Sequence, residues 1–279
     1  MSDAWQPDKD DEVDLSEIGI MGWLRFVLRA IPLVALILVC LVILLILRLI
    51  ERPLFGTHRP ITPYIVQFVC RNAFRIMGMG FQVKGQQMRH PGAVVANHSS
   101  WLDIFALSAA KRVYFVSKSE VAKWPGIGTL ARATGTVFIE RDARKAAEQK
   151  SVFEERLKAG HKLLFFPEGT STDGLRVLHF KSTLFAAFFT QELRDFLWVQ
   201  PVTVNYYAPL GEEPRFYGWW GEMDFFPHVI KTLAVKKAGC VEVIYHPPLS
   251  VAEAEGRKKM ASISEQIVRS GHHLASQYG

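Results

Sequence analysis

The feature that most constrains this chain is an uncharged, strongly apolar run of 18 residues from Ala30 to Leu47, bracketed by Arg29 and Arg48. A helix of that length approaches the roughly 30 Å thickness of a bilayer's hydrocarbon core, so the run reads as a membrane anchor. Pro32 lies near its start, where a first turn tolerates proline. Ile20, Met21, Trp23, Leu24, Phe26, Val27 and Leu28 come before it, so residues 20–50 form one long helix or an interfacial helix joined to an inserted one. A cleaved signal peptide does not fit, because the run starts late, follows an acidic tail and lacks an Ala-x-Ala-like site. The competing reading is a buried core helix.

Charge divides the chain at the same place. Residues 1–19 hold seven acids and one base, a net of −6, which leaves +12 on residues 20–279 against the overall +6. Such a tail is expected to be disordered, and the basic body behind the anchor suits an anionic leaflet. Nucleic acid is excluded as a partner: no recognised reader motif is present, and the anchor argues against it. Three cysteines, Cys40, Cys70 and Cys240, make neither a disulfide framework nor a metal-ligand spacing, and the histidines follow no zinc pattern. Free thiols and no bound metal are the expectation.

Behind the anchor, apolar runs alternate with helical patterns. Strands are expected at 81–84, 93–96, 113–116, 136–139, 162–166, 198–204 and 241–245, and helices at 63–77, 101–110, 126–132, 143–159, 183–192 and 252–277. The alternation predicts an α/β fold, a mostly parallel sheet flanked by helices and preceded by the N-terminal hydrophobic anchor helix.

Chemistry concentrates where strands end. In Val94-Val95-Ala96-Asn97-His98-Ser99-Ser100-Trp101-Leu102-Asp103, a base and a carboxylate follow an apolar run. A neutral imidazole suits proton abstraction at neutral pH, and a carboxylate on its second nitrogen fixes the tautomer. Five residues apart on one helix, the two side chains would diverge by roughly 140°. His98 therefore belongs on the loop before a helix and Asp103 in its first turns, with Ser99 or Ser100 as N-cap. The alternative is an ordinary helix start with an acid near its positive end.

Phe165-Phe166-Pro167-Glu168-Gly169-Thr170 is a second such site, an apolar run opening into a glycine-containing loop. Here Glu168 accepts hydrogen bonds from an acceptor or supports His98, Gly169 admits a substrate to the backbone, and Thr170 offers a hydroxyl. The alternative is a plain strand-to-helix turn. At the end of Val137-Phe138-Ile139-Glu140-Arg141, Arg141 supplies a planar donor fork for phosphate or carboxylate, or else a surface ion pair. Two other motifs fail on context. Gly126-Ile127-Gly128-Thr129-Leu130-Ala131 follows Lys123-Trp124-Pro125 rather than a strand, so it is no dinucleotide site, and no Gly-x-Ser-x-Gly elbow exists. Phe180, Phe185, Phe188 and Phe189 line either an acyl tunnel or the core, and the core is the commoner use.

Asn97-His98-Ser99-Ser100-Trp101-Leu102-Asp103 resembles the His-x4-Asp motif of the glycerolipid acyltransferases, the 1-acylglycerol-3-phosphate acyltransferase type. Phe138 to Arg141, Phe166 to Thr170 and a divergent Val199-Gln200-Pro201-Val202 resemble the family's other three motifs, in order, over roughly residues 75–210. The arginine that many lysophosphatidate-specific members carry after this threonine is Ser171 here. The following Thr172-Asp173-Gly174, with Gly218-Trp219-Trp220-Gly221-Glu222-Met223-Asp224 and Pro227-His228, is more similar to the bacterial lyso-ornithine lipid acyltransferase branch.

The resemblance implies direct transfer of an acyl group from a thioester to a lysolipid hydroxyl, with His98 as general base and Asp103 as its orienter. Arg141, Glu168, Gly169 and Thr170 would bind the acceptor, which is lyso-ornithine lipid, 1-acylglycerol-3-phosphate or both. No cofactor is bound, and acyl-ACP or acyl-CoA serves as co-substrate. An acidic acyl carrier protein would be steered by the basic body. Backbone N–H groups at the start of the 101–110 helix are candidate oxyanion donors. The implied location is the bacterial inner membrane, with the catalytic domain on the cytoplasmic face. The chain divides into a tail at 1–19, an anchor at 20–50 and an acyltransferase domain at 51–279. The alternative function is an inactive membrane lipid-binding or scaffold protein that retains the motifs.

Overall fold

The computed structural model of the protein describes residues 13–140 and 146–275. Most of the acidic tail, Arg141, the first residues of the helix expected at 143–159 and the last residues of the one expected at 252–277 lie outside these residues.

The apolar run is part of one continuous 36-residue helix, α1 (Ile20–Phe55). It does not stand away from the rest of the chain. Phe26, Ala30, Leu33 and Ile37, at steps of four, three and four, pack on the core, and Cys40, Leu44 and Glu51 are buried farther along. This is one helical stripe. Both ends are tied down by charge meeting helix termini. The Arg25 and Arg29 guanidiniums donate to the carbonyls of Ala234, Leu233 and Val235 at 2.7–2.8 Å, at the C-terminal end of α6 (Phe225–Ala234). Glu51 accepts from Ile61 N and from Thr62 N and Oγ1, capping the start of α2 (Thr62–Met77). The opposite face of α1 presents exposed Leu38, Val39, Val42, Ile46 and Leu49.

Then follow β1 (Gly80–Lys84), β2 (Gly92–Ala96), α3 (Leu102–Ala110), β3 (Tyr114–Lys118), α4 (Ile127–Thr134), β4 (Val137–Ile139), α5 (Ala146–Lys158), β5 (Leu163–Phe165) and β6 (Trp198–Tyr207). After α6 come β7 (Cys240–Tyr245), β8 (Leu249–Ser250) and α7 (Arg257–Gly271). The strands form one mixed sheet in the order β1-β7-β6-β2-β5-β3-β4, with β8 also on β6. Only the β6–β7 and β6–β8 pairings are antiparallel.

Alternate side chains feed two cores, as the pleat requires. Val94, Ala96, Leu164, Val202 and Val204 face α1, α2, α3 and α6, whereas Ala93, Val95, Leu163, Phe165 and Val199 face α5 and α7. Phe180, Phe185 and Phe188 are buried in the second core, with Phe189 packed beside them.

Several elements differ from expectation, among them the two-residue strand β8, which no apolar run announced. The helix expected at 183–192 is a 3-10 segment, Ser182–Phe189, whose Phe185 and Phe188 sit three apart, matching that helix's period. The last helix begins only at Arg257, because Gly256 takes φ +135, outside the helical region. The sequence reading missed α6, in which Pro227 falls in the first turn, where its lack of an N–H costs no intrahelical bond.

At Gly92, where β2 starts, φ is +149 and a Cβ would lie 1.9 Å from Trp198 O. Gly92→Ala is therefore expected to part β2 from β6 and to destabilise the protein by more than the ~1 kcal/mol typical of point changes. Denaturant unfolding in detergent measures it; an unchanged midpoint would refute the pairing.

Candidate active site

Five parallel strands, β2 to β6, point their C-terminal ends to one edge, and the motif loops leave from that edge. β2 is wholly buried and delivers Asn97, whose amide donates to Val204 O at 2.9 Å and accepts from Val204 N at 2.8 Å. The loop is thus stitched to β6 before His98 leaves it.

Asp103, in the first turn of α3, is fully buried and reaches back to the loop. Its Oδ2 lies 2.7 Å from His98 Nδ1 and accepts from Ser99 N at 2.9 Å and Ser100 N at 3.1 Å. Its Oδ1 accepts from the Tyr206 hydroxyl at 2.6 Å. A carboxylate only accepts, so the His98 proton sits on Nδ1 and Nε2 keeps its lone pair. The imidazole is one-fifth exposed and stacks on Phe166, with centroids 4.0 Å apart and planes at 11°.

Glu168 is buried behind this pair. Its Oε1 accepts from His98 N and its Oε2 from Leu178 N, both at 2.7 Å. Burial pushes its carboxyl up to about 8, against the two N–H groups that favour the charged form; the nearby Asp103 charge also raises it. With 1% exposure and both oxygens engaged, Glu168 faces the His98 backbone, the second of the two places expected for it, rather than an acceptor. Gly169, at φ +74, turns the loop where a Cβ would meet Lys181 Nζ at 2.8 Å. Thr170 is exposed, with its hydroxyl 3.4 Å from Ser171 O. Arg141 lies outside the described residues; β4, the strand ahead of it, is the edge strand and ends at the same side of the sheet.

Several N–H groups near the start of α3, where oxyanion donors were expected, are already engaged. The N–H groups of Ser99 and Ser100 are committed to Asp103, that of Leu102 to Ser100 Oγ at 3.3 Å and that of Asp103 to Ser100 O at 3.1 Å. These donors hold the loop instead of facing a substrate. The divergent fourth segment is also structural: Gln200 bonds Met88 N, Gln86 O and His246 O.

Two further segments close on the loop. Thr172 N donates to His98 O at 2.9 Å, and Trp219 N to Ser99 O at 2.8 Å. Trp101 Nε1 donates to Nδ1 of buried His228 at 2.9 Å; burial, aided by the Lys231 charge, lowers His228 to about 4, so it stays a neutral acceptor. Sequence reasoning missed Tyr206 and Asn97. Asn97 adjoins the motif histidine, which is a signal of sorts, whereas Tyr206 ends an apolar strand far from Asp103 in sequence.

A family model described as Acyltransferase matches residues 80–205. The chain is 60% identical over 224 residues to the lyso-ornithine lipid O-acyltransferase of Rhodobacter capsulatus, covering 80% of this chain and 81% of that one. It is 35% identical over 202 residues to a 1-acyl-sn-glycerol-3-phosphate acyltransferase of Neisseria gonorrhoeae, covering 71% and 77%. The crystal structure of the 1-acyl-sn-glycerophosphate acyltransferase of Thermotoga maritima shares the fold, with a TM-score of 0.55 at 21% identity over 87% of this chain and 95% of that one.

Glu168→Gln turns one acceptor oxygen into a donor facing a backbone N–H, which is expected to cost about 1–3 kcal/mol and to lower kcat. Because the wild-type carboxyl is raised, its contribution is complete below the ordinary carboxylate range and is lost as pH rises through about 8. The stability gap between the two proteins should therefore narrow with rising pH in chemical denaturation; a gap that widens would place the charge elsewhere.

Proposed function

The chain belongs to the acyltransferase family and is an O-acyltransferase of lysolipids, and from that premise we propose that it is a membrane-bound enzyme moving an acyl group from an acyl-thioester to a lysolipid hydroxyl, with lyso-ornithine lipid as the principal acceptor. The observation that carries the mechanism is the 2.7 Å contact between His98 Nδ1 and Asp103 Oδ2.

His98 Nε2 takes the proton of the acceptor hydroxyl as its oxygen attacks the thioester carbonyl. Asp103 stabilises the imidazolium that forms. When the tetrahedral intermediate collapses, the carbon–sulfur bond breaks and the thiolate takes the proton back from Nε2. An ester and a free thiol leave, and no acyl-enzyme forms. Proximity of the two bound substrates supplies the remainder of the acceleration. Glu168 acts by fixing the His98 backbone, while Gly169, Thr170 and Arg141 meet the acceptor.

Acceptor choice rests on Ser171 and on the Rhodobacter relative. Without an arginine after Thr170 the pocket has one fixed cation fewer for a phosphate, which suits a zwitterionic headgroup. Arg141 and the Neisseria relative favour 1-acylglycerol-3-phosphate as a second acceptor. The basic body favours an acyl carrier protein as donor, with acyl-CoA as the other thioester of this chemistry.

The length and exposed apolar face of α1 support membrane attachment. A helix of 36 residues is about 54 Å long, and it touches the catalytic domain at both ends. Standing upright in a bilayer it would draw that domain into hydrocarbon. Lying along one leaflet it buries its exposed apolar face and leaves the domain in water. Residues 20–50 are then an in-plane anchor and residues 51–279 the catalytic domain, on the cytoplasmic face of the inner membrane, where acyl-thioesters are made.

His98→Ala is expected to abolish acyl transfer to both acceptors while flotation on vesicles is retained; its Tm falls, because buried Asp103 loses one of its donors, but a cooperative transition remains. Labelled acyl-thioester with each lysolipid in membranes measures it, with higher kcat/KM for lyso-ornithine lipid in the wild type. Activity that survives the substitution would return the chain to the scaffold reading.

A further inference from the structure

At the N-terminal edge of the sheet, away from His98, two guanidiniums converge on the turn between α4 and β4, and an imidazole lies close by against Tyr114. Arg59 donates through one terminal nitrogen to Ala133 O at 2.8 Å, and Arg156 does the same to Gly135 O at 2.6 Å. Gly135, at φ +88, makes room for this: a Cβ there would lie 2.8 Å from Arg59 Cζ. Arg156 also lies over the Tyr114 ring at 4.7 Å, and His161 stacks on that ring at 4.1 Å.

Each guanidinium is thus held by one nitrogen with its Nε to spare. Among the described residues, the Nε of Arg59, the Nε of Arg156 and both ring nitrogens of His161 are buried without a hydrogen-bond partner. His161 is only 4% exposed. No ion pair to either arginine occurs among the described residues, and the nearest acid of α1, Glu51, is already occupied by Arg48, Ile61 and Thr62. Glu51 and Glu155 act on Arg59 and Arg156 only through their fields, without an ion pair, and buried polar groups are ordinarily satisfied. Burial, with Arg156 and then Arg59 adding to it, lowers His161 to about 3. The same fields that keep its ring neutral would welcome a negative charge.

We propose that Arg59, Arg156 and His161 form a binding site for a phosphate group, separate from the catalytic edge and reached from the side of the sheet where α1 ends. The two Nε–H groups and a His161 N–H each donate to a phosphate oxygen, as guanidinium forks do. Arg48 adds its positive field from α1, whose apolar Leu49, Leu54 and Phe55 are exposed nearby in the chain. The phosphate is that of an anionic membrane lipid or a soluble phosphate; both present the same oxygens. The site stands whatever the acceptor of the acyl group.

The test uses the full chain in detergent, with inorganic phosphate titrated against chloride at matched ionic strength. Phosphate is expected to raise the Tm saturably in the wild type. Arg59→Lys and Arg156→Lys keep the charge but lose the fork, so each should weaken the apparent phosphate affinity about tenfold or more, with acyl transfer retained as the check on folding. His161→Gln serves as an independent third variant. Co-sedimentation with phosphatidylcholine vesicles, with and without phosphatidylglycerol, separates the sources. A gain with phosphatidylglycerol that the lysine variants lose identifies a lipid headgroup, and a gain they keep, beside a phosphate-dependent Tm, identifies a soluble phosphate. A Tm no more sensitive to phosphate than to chloride, or equally sensitive in wild type and all three variants, overturns the proposal.

Discussion

The Asp103 carboxylate is the constraint on which the site depends. A fully buried charge is tolerable only when its lone pairs are met, and here they are met by donors from separate parts of the chain. The His98 ring, two consecutive backbone N–H groups and the Tyr206 hydroxyl all converge on it. Satisfying that carboxylate therefore fixes the loop after β2, the start of α3 and the end of β6 relative to one another. The imidazole orientation is a by-product of the same requirement. Nε2, the nitrogen that Asp103 does not touch, is the proposed base.

A second layer holds the first. Glu168 grips His98 from the backbone side, while Thr172 and Trp219 take the carbonyls of His98 and Ser99. The segment after Glu168 and the tryptophan-rich segment before α6 are therefore walls of the same loop. Those are the stretches in which the chain resembles the lyso-ornithine branch. Both hold the loop through main-chain N–H groups on its outward carbonyls, away from the reacting ring. The Gly218 backbone is likewise close-packed, with a Cβ there only 2.5 Å from Asp173 O.

Much of this was legible in the sequence, for physical reasons that differ by element. The strands were readable because a parallel sheet covered on both faces demands uninterrupted apolar runs. The His98 and Asp103 pairing was readable because their spacing admits one geometry, loop then helix. Tyr206 was not, since it approaches Asp103 only through the β2–β6 pairing, 103 residues away in the chain. Glu168 stood between two places in the sequence, acceptor ligand or support for His98, because only the fold shows which backbone N–H groups claim a carboxylate in a Gly-containing loop. The aromatic run at 183–192 has a helical look, yet its phenylalanines three apart fit the tighter 3-10 turn. The long apolar helix was clear from composition, whereas its docking along the domain depends on contacts that no local pattern encodes.

The central claim is that Asp103 holds the proton of neutral His98 on Nδ1 and leaves Nε2 as the base. Ring-15N-labelled histidine NMR reads this directly, with the His98 signals among the nine histidines identified by their loss in His98→Gln. The account predicts a protonated Nδ1 and an unprotonated Nε2 in the wild type, with that preference lost in Asp103→Asn. A proton on Nε2 in the neutral wild-type ring would contradict it, because the base would then have no lone pair to offer the acceptor.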